Sequence, residues 1–111
     1  MPGSEASTWS AGEITARVAA RQVSVSEVVA AFLHRAQEVN PVLNAVCTFT
    51  AEHAVAAARR ADERLASGHP GRPLEGVPYT VKDNIPVAGV RCTYGSRLFA
   101  DHVAGVPPVT G

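Results

Sequence analysis

One stretch of the sequence decides the fold that this chain is expected to adopt. It reads Gly76-Val77-Pro78-Tyr79-Thr80-Val81-Lys82-Asp83-Asn84-Ile85. From Leu74 to Val81 apolar residues alternate with smaller or polar ones, which predicts a strand, and a second β-like stretch is predicted from Ile85 to Val90. The charged pair Lys82-Asp83 follows the first strand. Because a charge at the end of a buried strand is costly unless it is paired, such residues are over-represented at functional sites.

Two helices are predicted upstream of this stretch. The pattern S-x-x-E, which supplies hydrogen-bond partners to the first free amides of a helix, occurs at Ser10 and again at Ser24. The first helix should run to about Arg21, and the second carries a broad apolar stripe at helical spacing. We expect the second helix to end at Asn40-Pro41, because the residue before a proline is disfavoured in the α region.

Between these helices and the lysine stretch, the sequence predicts a strand, a third helix and a loop. Residues 42–49 are apolar and partly β-branched, as in a short strand. Thr50 is suited to cap a helix from Ala51 to Ser67, with Gly68 as its C-terminal cap. Residues 68–73 contain two glycines and two prolines, which indicates a surface loop.

The composition excludes several classes of protein. The 111 residues suffice for one small domain, and 46% hydrophobic residues argue against wholesale disorder. A net charge of zero removes the usual electrostatic reason to propose nucleic acid or an anionic membrane as a partner. The first ten residues do not resemble a signal peptide, and no apolar run approaches the roughly 20 residues of a membrane span. We therefore expect a cytoplasmic protein without nucleic-acid or membrane partners.

The histidines and cysteines predict neither a metal site nor a disulfide framework. They are His34, His53, His69, His102, Cys47 and Cys92. No two of them have the spacing of a zinc site, and two isolated cysteines are too few for a framework. We expect two reduced, mostly buried thiols, no metal and no cofactor.

Lys82 is the only lysine, beside nine arginines. Lysine differs from arginine in that burial can lower its pKa far enough for it to lose its proton and act as a base. The single exception to the arginine bias is therefore a candidate functional residue.

The motifs around this lysine resemble the amidase signature family. The stretch G-V-P-x-x-V-K-D-N is followed by Gly89-Val90 and by a T-x-G-S turn at Thr93-Tyr94-Gly95-Ser96. In that family a strand of this form delivers the catalytic lysine, and a T-x-G-S turn comes after it. The upstream helices, the run from Asn40 to Ala45 and the Ala-rich helix are similar as well. The resemblance covers about Ser10 to His102.

The resemblance implies hydrolysis of a carboxylic acid amide, at a carbon–nitrogen bond that is not a peptide bond, by a Ser–Ser–Lys mechanism with Lys82 as the catalytic lysine. A serine nucleophile attacks the amide carbonyl, and a second serine, on a cis peptide bond, relays its proton to the neutral lysine. Burial between Val81 and Ile85 would favour the neutral amine. The implied partner is a small-molecule amide; this segment does not separate a general amidase from a glutamine-dependent amidotransferase subunit.

By the same resemblance the fold is α/β, with N-terminal helices packed on the first strands of an incomplete mixed sheet. We expect a flexible N-terminus at 1–9, the N-terminal part of an amidase-signature domain at 10–102, and a divergent irregular tail at 103–111, where adjacent prolines forbid a helix. The bulky core anchors are expected to be Phe32, Leu33, Phe49 and Leu65.

The sequence also leaves alternatives open. None of its serines lies in a Gly/Ser-rich stretch like that of the family's nucleophile, so we expect a truncated segment that does not hydrolyse amides by itself. Ser96 should bond to local backbone, and Asp83-Asn84 should hold the turn after the lysine. A second interpretation is a non-catalytic helical module that docks on a complementary amidase segment or another partner through apolar surface. A third is an unrelated lysine enzyme that forms a Schiff base.

Overall fold

The computed structural model describes residues 5–105, which fold into three α-helices and two short 3₁₀ turns. The helices are α1 (Ala11–Ala19), α2 (Val25–Leu43) and α3 (Ala51–Ala66), and the 3₁₀ turns are Ala6–Thr8 and Arg97–Phe99. The described residues divide into two compact units. The helical unit comprises the residues up to Val46 together with Thr50–Pro78, and the lysine unit comprises Cys47–Phe49 together with the residues from Tyr79 onward.

The starts of the first two helices are as predicted. Ser10 Oγ accepts a hydrogen bond from the Glu13 amide at 3.1 Å. At α2 the capping box is complete, because Ser24 Oγ accepts from the Glu27 amide and the Glu27 carboxylate accepts from the Ser24 amide, both at 3.0 Å. The first helix ends at Ala19, two residues before the predicted limit.

The second helix does not end at Asn40-Pro41, and the strand predicted at 42–49 is wrong. Pro41 lies inside the last turn of α2, where its missing amide removes a single helical hydrogen bond. The Asn40 side chain then holds the chain beyond the helix, accepting from the Val46 amide at 2.8 Å and donating to the Val46 carbonyl at 3.0 Å. Asn44, with a φ of 50°, ends the helix in the left-handed conformation.

The third helix ends at Ala66, one residue before its predicted limit, and Gly68 caps it as expected. Gly68 has a φ of 89°, its amide donates to the Leu65 carbonyl, and the His69 amide donates to the Arg64 carbonyl. This is the Schellman arrangement, which satisfies carbonyls that a helix end leaves free. Thr50 occupies the N-cap position but makes no side-chain capping bond.

A carboxylate of α3 joins the second and third helices. Asp62 accepts from the Val25 amide at 2.8 Å, from the Ser26 amide at 3.0 Å and from the Ser26 hydroxyl at 2.6 Å. It therefore supplies partners to amides of the first turn of α2, which have none inside the helix.

The core of the helical unit is built mostly from small side chains. Ile14 and Val28 are among its fully buried members, and Leu65 is buried as predicted. Phe32 and Leu33 are only partly buried against this core. The prediction for Phe49 is wrong, because 38% of its surface is exposed.

The expected flexible N-terminus and irregular tail lie partly outside the described residues. Residues 1–4 and 106–111, which include the adjacent prolines, belong to that part of the chain. Within the expected flexible segment, residues 6–8 form a 3₁₀ turn and Ala6 is fully buried. Val103, in the expected tail, forms an isolated antiparallel bridge with Arg91.

The G-V-P motif begins where the backbone passes close to the helical core. Gly76 has a φ of 85°, a conformation that side-chain-bearing residues rarely adopt. A Cβ added there would lie 3.0 Å from Val18 Cγ2 and 3.4 Å from Val25 Cγ2. The motif therefore requires glycine at this position for two separate reasons.

The predicted mixed sheet is not formed between residues 5 and 105, so only the helical part of the α/β expectation is observed. Residues 73–76 form a turn, residues 77–82 are not part of a strand, and the stretch from Ile85 to Val90 contains two bends and a turn. A strand exists only through hydrogen bonds to a neighbouring strand. Pro78 and Pro86 also lack the amide that a central strand needs.

No helix in the described part of the chain is long and apolar enough to cross a membrane.

Candidate functional site

Lys82 lies in the lysine unit with its side chain exposed. Its carbonyl accepts from the Ile85 amide at 3.0 Å, which closes a turn over the K-D-N motif. Val81 and Ile85 are 43% and 55% exposed, so the apolar burial expected around the lysine is not provided by these neighbours. The amine is accessible to groups that approach it from outside this segment.

Asp83 binds the threonine of the T-x-G-S turn with both of its carboxylate oxygens. One oxygen accepts from the Thr93 amide at 2.8 Å, and the other accepts from the Thr93 hydroxyl. The hydroxyl bond and then the amide bond hold the pKa of Asp83 below its ordinary value of 3.8, against a smaller opposing effect of desolvation. The Cys47 thiol and the Arg91 charge lower this pKa slightly further.

The backbone of Asp83 is held to the same turn. Its carbonyl accepts from the Tyr94 amide at 2.9 Å and from the Cys92 thiol at 3.4 Å. The expected structural role of Asp83 is observed, but the predicted local backbone bonds are not, because the carboxylate accepts from Thr93, ten residues later. Asn84 is exposed, and its side chain makes no hydrogen bond with any described residue.

The T-x-G-S turn is closed by its own residues. The Ser96 amide donates to the Thr93 carbonyl at 2.9 Å, and the two central residues, Tyr94 and Gly95, have φ angles of 53° and 69°. Positive φ at both central positions is typical of a type I′ turn. Ser96 Oγ accepts from the Leu98 amide at 3.2 Å, so the expectation that this serine satisfies local backbone is confirmed.

The two cysteines have different surroundings. Cys92 is buried and Cys47 is exposed, so the expectation of mostly buried thiols holds for one of them. The pKa of the Tyr94 phenol is raised above its ordinary value. The causes are a hydrogen bond with Cys92, the electrostatic effect of Cys92 and desolvation, in that order. Tyr94 also packs against Phe99 and His102, with ring centroids 5.8 Å and 6.4 Å away.

Arg91 brings the short segment Cys47–Phe49 into the lysine unit. Its guanidinium donates to the Cys47 carbonyl at 3.1 Å and to the Thr48 hydroxyl at 3.2 Å. On either side of the Arg91–Val103 bridge the backbone pairing continues: the Cys92 amide donates to the His102 carbonyl at 2.9 Å, and the Ala104 amide donates to the Val90 carbonyl at 3.1 Å. This pairing positions the residues that precede the T-x-G-S turn.

Sequence reasoning singled out Lys82, Asp83 and Ser96 but missed the part played by Thr93. A threonine in the T-x-G-S turn offers an amide and a hydroxyl close together, which suits one carboxylate. That signal was present in the sequence, but the ten-residue separation from Asp83 hid the pairing. No group of three possible metal ligands comes together among residues 5–105.

Comparison with known proteins identifies the family of this chain. The family model described as Amidase matches residues 27–107. The chain belongs to the amidase family. The match contains both the K-D-N turn and the T-x-G-S turn that Asp83 joins, so the amidase motifs are adjacent in space as well as close in sequence.

Curated relatives match most of this amidase segment. A glutamyl-tRNA(Gln) amidotransferase subunit of Carboxydothermus hydrogenoformans is 38% identical over 94 residues, covering 85% of this chain and 19% of the relative. The protein of the same name from Rubrobacter xylanophilus is 49% identical over 89 residues, covering 80% and 18%. An acylamidase of Rhodococcus erythropolis is 36% identical over 95 residues, covering 86% and 20%. The chain thus spans about a fifth of the length of these relatives. No solved structure matches it.

Proposed function

We propose that this segment contributes the catalytic lysine, Lys82, to an amidase that hydrolyses a carboxylic acid amide by a Ser–Ser–Lys mechanism. The observation that carries the proposal is the pairing of the two family motifs. Asp83 ties the turn that carries Lys82 to the T-x-G-S turn, while the lysine side chain stays exposed. In such an enzyme the neutral amine takes the nucleophile's proton through the bridging serine and returns a proton to the departing amine.

The serines of this mechanism are expected from other parts of the amidase. Most described serine hydroxyls have structural partners in the helices or in the T-x-G-S turn: Ser10, Ser24, Ser26, Ser67 and Ser96. We therefore expect the 111-residue polypeptide alone to show no amide turnover. Lysine-dependent hydrolysis by that purified polypeptide would contradict this.

We also propose that the complete amidase contains the mixed sheet expected from the sequence and is located in the cytoplasm. Among the described residues, the backbone amides and carbonyls of Tyr79–Val81 have no hydrogen-bond partner, and these residues are exposed. An exposed stretch of this kind can pair with a neighbouring strand. We propose that it becomes a strand when the remainder of an amidase domain lies beside it.

Two substrate classes follow from the relatives. Several are named as a subunit of an amidotransferase for glutamyl-tRNA(Gln), and one as an acylamidase. We propose a small-molecule amide as the substrate, with glutamine and a simple acyl amide as the two classes to assay. Ammonia release from glutamine, compared with hydrolysis of a chromogenic anilide, separates them.

The test uses a graft into a relative of full length. Residues 27–107 replace the matching segment of the Rhodococcus erythropolis acylamidase, and hydrolysis of its amide substrate is measured. Lys82→Met removes the amine at similar side-chain length and should lower kcat by roughly 10³-fold or more. The control is Arg97→Met, which removes an exposed cation outside the motif. Activity of the Lys82→Met graft within threefold of the unchanged graft would refute the proposal.

A non-catalytic docking module is the second candidate, favoured by exposed apolar side chains in the lysine unit. Leu98 and Tyr79 are 91% and 85% exposed, and Ile85 and Val103 are more than half exposed. Such surface favours association with another polypeptide. Stable co-purification with an amidase that lacks this segment, together with activity that does not depend on Lys82, would support this candidate over the first.

A further inference from the structure

We propose that Asp83 is the positioning residue for Lys82, holding the K-D-N turn on the T-x-G-S turn so that the lysine leaves the backbone in one fixed direction. The catalytic consequence of this role rests on the proposed function above. The positioning itself is a property of the lysine unit and can be measured without any activity.

The two sides of Lys82 are held very differently. On its N-terminal side, Tyr79–Val81 have no backbone hydrogen-bond partner within the described part of the chain. On its C-terminal side, Asp83 receives four hydrogen bonds, two to its carboxylate from Thr93 and two to its carbonyl from Tyr94 and Cys92. The direction of the lysine is therefore fixed from its C-terminal side, where the Ile85 amide closes the turn on the Lys82 carbonyl and Asp83 holds that turn on the T-x-G-S turn.

The conformation of the T-x-G-S turn supports this assignment. Tyr94 has a φ of 53°, which is uncommon for a bulky side chain and persists only where the surroundings determine it. The Tyr94 amide donates to the Asp83 carbonyl, and the preceding residue, Thr93, donates twice to the Asp83 carboxylate. Asp83 thus stabilises the strained turn and the lysine turn together.

An aspartate suits this position because one ionised carboxylate accepts from an amide and a hydroxyl at once. Hydrogen bonds to an ionised acceptor are roughly twice as strong as neutral ones. Asparagine would keep the two contacts only with the hydroxyl bond reversed and without the charge. Alanine would remove both contacts, whereas Thr93→Val would remove the hydroxyl contact and leave the amide contact.

The direct test is ¹⁵N relaxation of the 111-residue chain labelled at lysine and leucine. Because Lys82 is the only lysine, its backbone amide gives a single lysine signal. Asp83→Ala should reduce its order parameter from about 0.85, typical of rigid backbone, to below about 0.6, with a smaller loss in Thr93→Val. Leu65, buried in the helical unit, should keep its value. An unchanged Lys82 signal, or an equal loss at Leu65, would overturn the positioning role.

Acidification provides a second readout that a general scaffold role would not produce. The titratable residues beside Asp83 are Cys47 and Arg91, which act on its carboxylate, and Cys92 and Tyr94, which donate to its carbonyl; none of these residue types ordinarily titrates below pH 5. Lys82 should therefore lose order as the pH falls below 3.8 and protonates Asp83, and this change should be absent in Asp83→Ala. An identical acid response in both chains would contradict the role.

The acylamidase graft tests the catalytic consequence. Asp83→Ala should lower kcat on the order of 10-fold to 100-fold with KM within about twofold, because a misplaced catalytic group slows the chemistry and leaves substrate binding intact. Asp83→Asn should restore part of the lost kcat. A raised KM with unchanged kcat would assign Asp83 to binding and overturn the role. An inactive unchanged graft would count against the proposed function alone, since the relaxation data decide the positioning.

Discussion

Asp62 in the helical unit and Asp83 in the lysine unit use their carboxylates in the same way, but they do so in different surroundings. Each carboxylate accepts hydrogen bonds from both the amide and the hydroxyl of one residue, which is Ser26 for Asp62 and Thr93 for Asp83. The bonds of Asp62 reinforce helices that already share an apolar core. In the described lysine unit the buried apolar residues are Cys92 and Ala104.

The difference shows that the two units depend on different forces. Full burial of a Val, Leu or Ile side chain contributes roughly 1.5–3 kcal/mol, whereas a typical hydrogen bond contributes about 0.5–1.5 kcal/mol net. The helical unit therefore depends mainly on packing, and the lysine unit on a few hydrogen bonds around Asp83. We expect the lysine unit to open first, and four experiments test this difference between the units.

The largest expected difference comes from the same substitution made in each unit. Ile14 is 1% exposed and Ile85 is 55% exposed. Ile14→Ala should lower the free energy of unfolding by about 4 kcal/mol, because it leaves a cavity in the core. Ile85→Ala should change it by less than about 0.5 kcal/mol. Urea unfolding, followed by far-ultraviolet circular dichroism, measures both changes. Equal destabilisation by the two substitutions would contradict the proposed difference between the units.

Two glycines with similar backbone conformations allow a matched comparison of packing. Gly76 and Gly89 have φ angles of 85° and 78°, but only at Gly76 would an added Cβ meet neighbours within 4 Å. Gly76→Ala should destabilise the helical unit by about 3 kcal/mol, from backbone strain and overpacking together. Gly89→Ala should cost the lysine unit only the strain, about 1–2 kcal/mol. Amide hydrogen exchange in each unit measures the two costs, and a larger cost at Gly89 would be inconsistent with the packing described.

The contribution of Asp62 should be intermediate. Asp62→Ala removes three hydrogen bonds from the first turn of α2 and should lower the free energy of unfolding by about 2 kcal/mol. Glu63→Ala, which removes the adjacent exposed carboxylate, is the control and should have little effect. Thermal unfolding of both variants provides the measurement. If the two variants unfold at the same temperature, the Asp62 hydrogen bonds do not stabilise the helical unit.

The smallest effect is the acid dependence of the lysine unit. Because Thr93 holds the pKa of Asp83 below 3.8 in the folded chain, the resulting stability is fully present above pH 3.8 and is lost as the pH falls through the lower folded value. The amide signal of Thr93, in a chain labelled at threonine, should shift with a midpoint below pH 3.8. A midpoint at or above 3.8 would show that these hydrogen bonds do not stabilise the ionised carboxylate.

The features predicted well from sequence are those that depend on neighbouring residues. The capping box at Ser24 and the glycine cap at Gly68 involve partners within a few positions, so local pattern was sufficient. The catalytic role of Lys82 stays a prediction, made because Lys82 is the only lysine and lies in a family motif. These signals need no knowledge of the tertiary fold.

The predictions that failed depend on distant partners. The strand at 42–49 was wrong because α2 continues through Pro41 to Leu43, and residues 44–49 have no neighbouring strand among the described residues. The strands around Lys82 need neighbours that residues 5–105 do not provide. The pairing of Asp83 with Thr93 joins two turns ten residues apart, and neither turn by itself indicates the other.

The single lysine also makes the chain a substrate with one cleavage point for a lysine-specific endoprotease. The scissile bond, Lys82–Asp83, separates an exposed stretch without backbone partners from a residue that holds four hydrogen bonds. Cutting there would need little local unfolding on one side and would leave Asp83 attached to its turn on the other. The digestion rate of that one bond would therefore report, in a gel lane, how often the lysine turn opens.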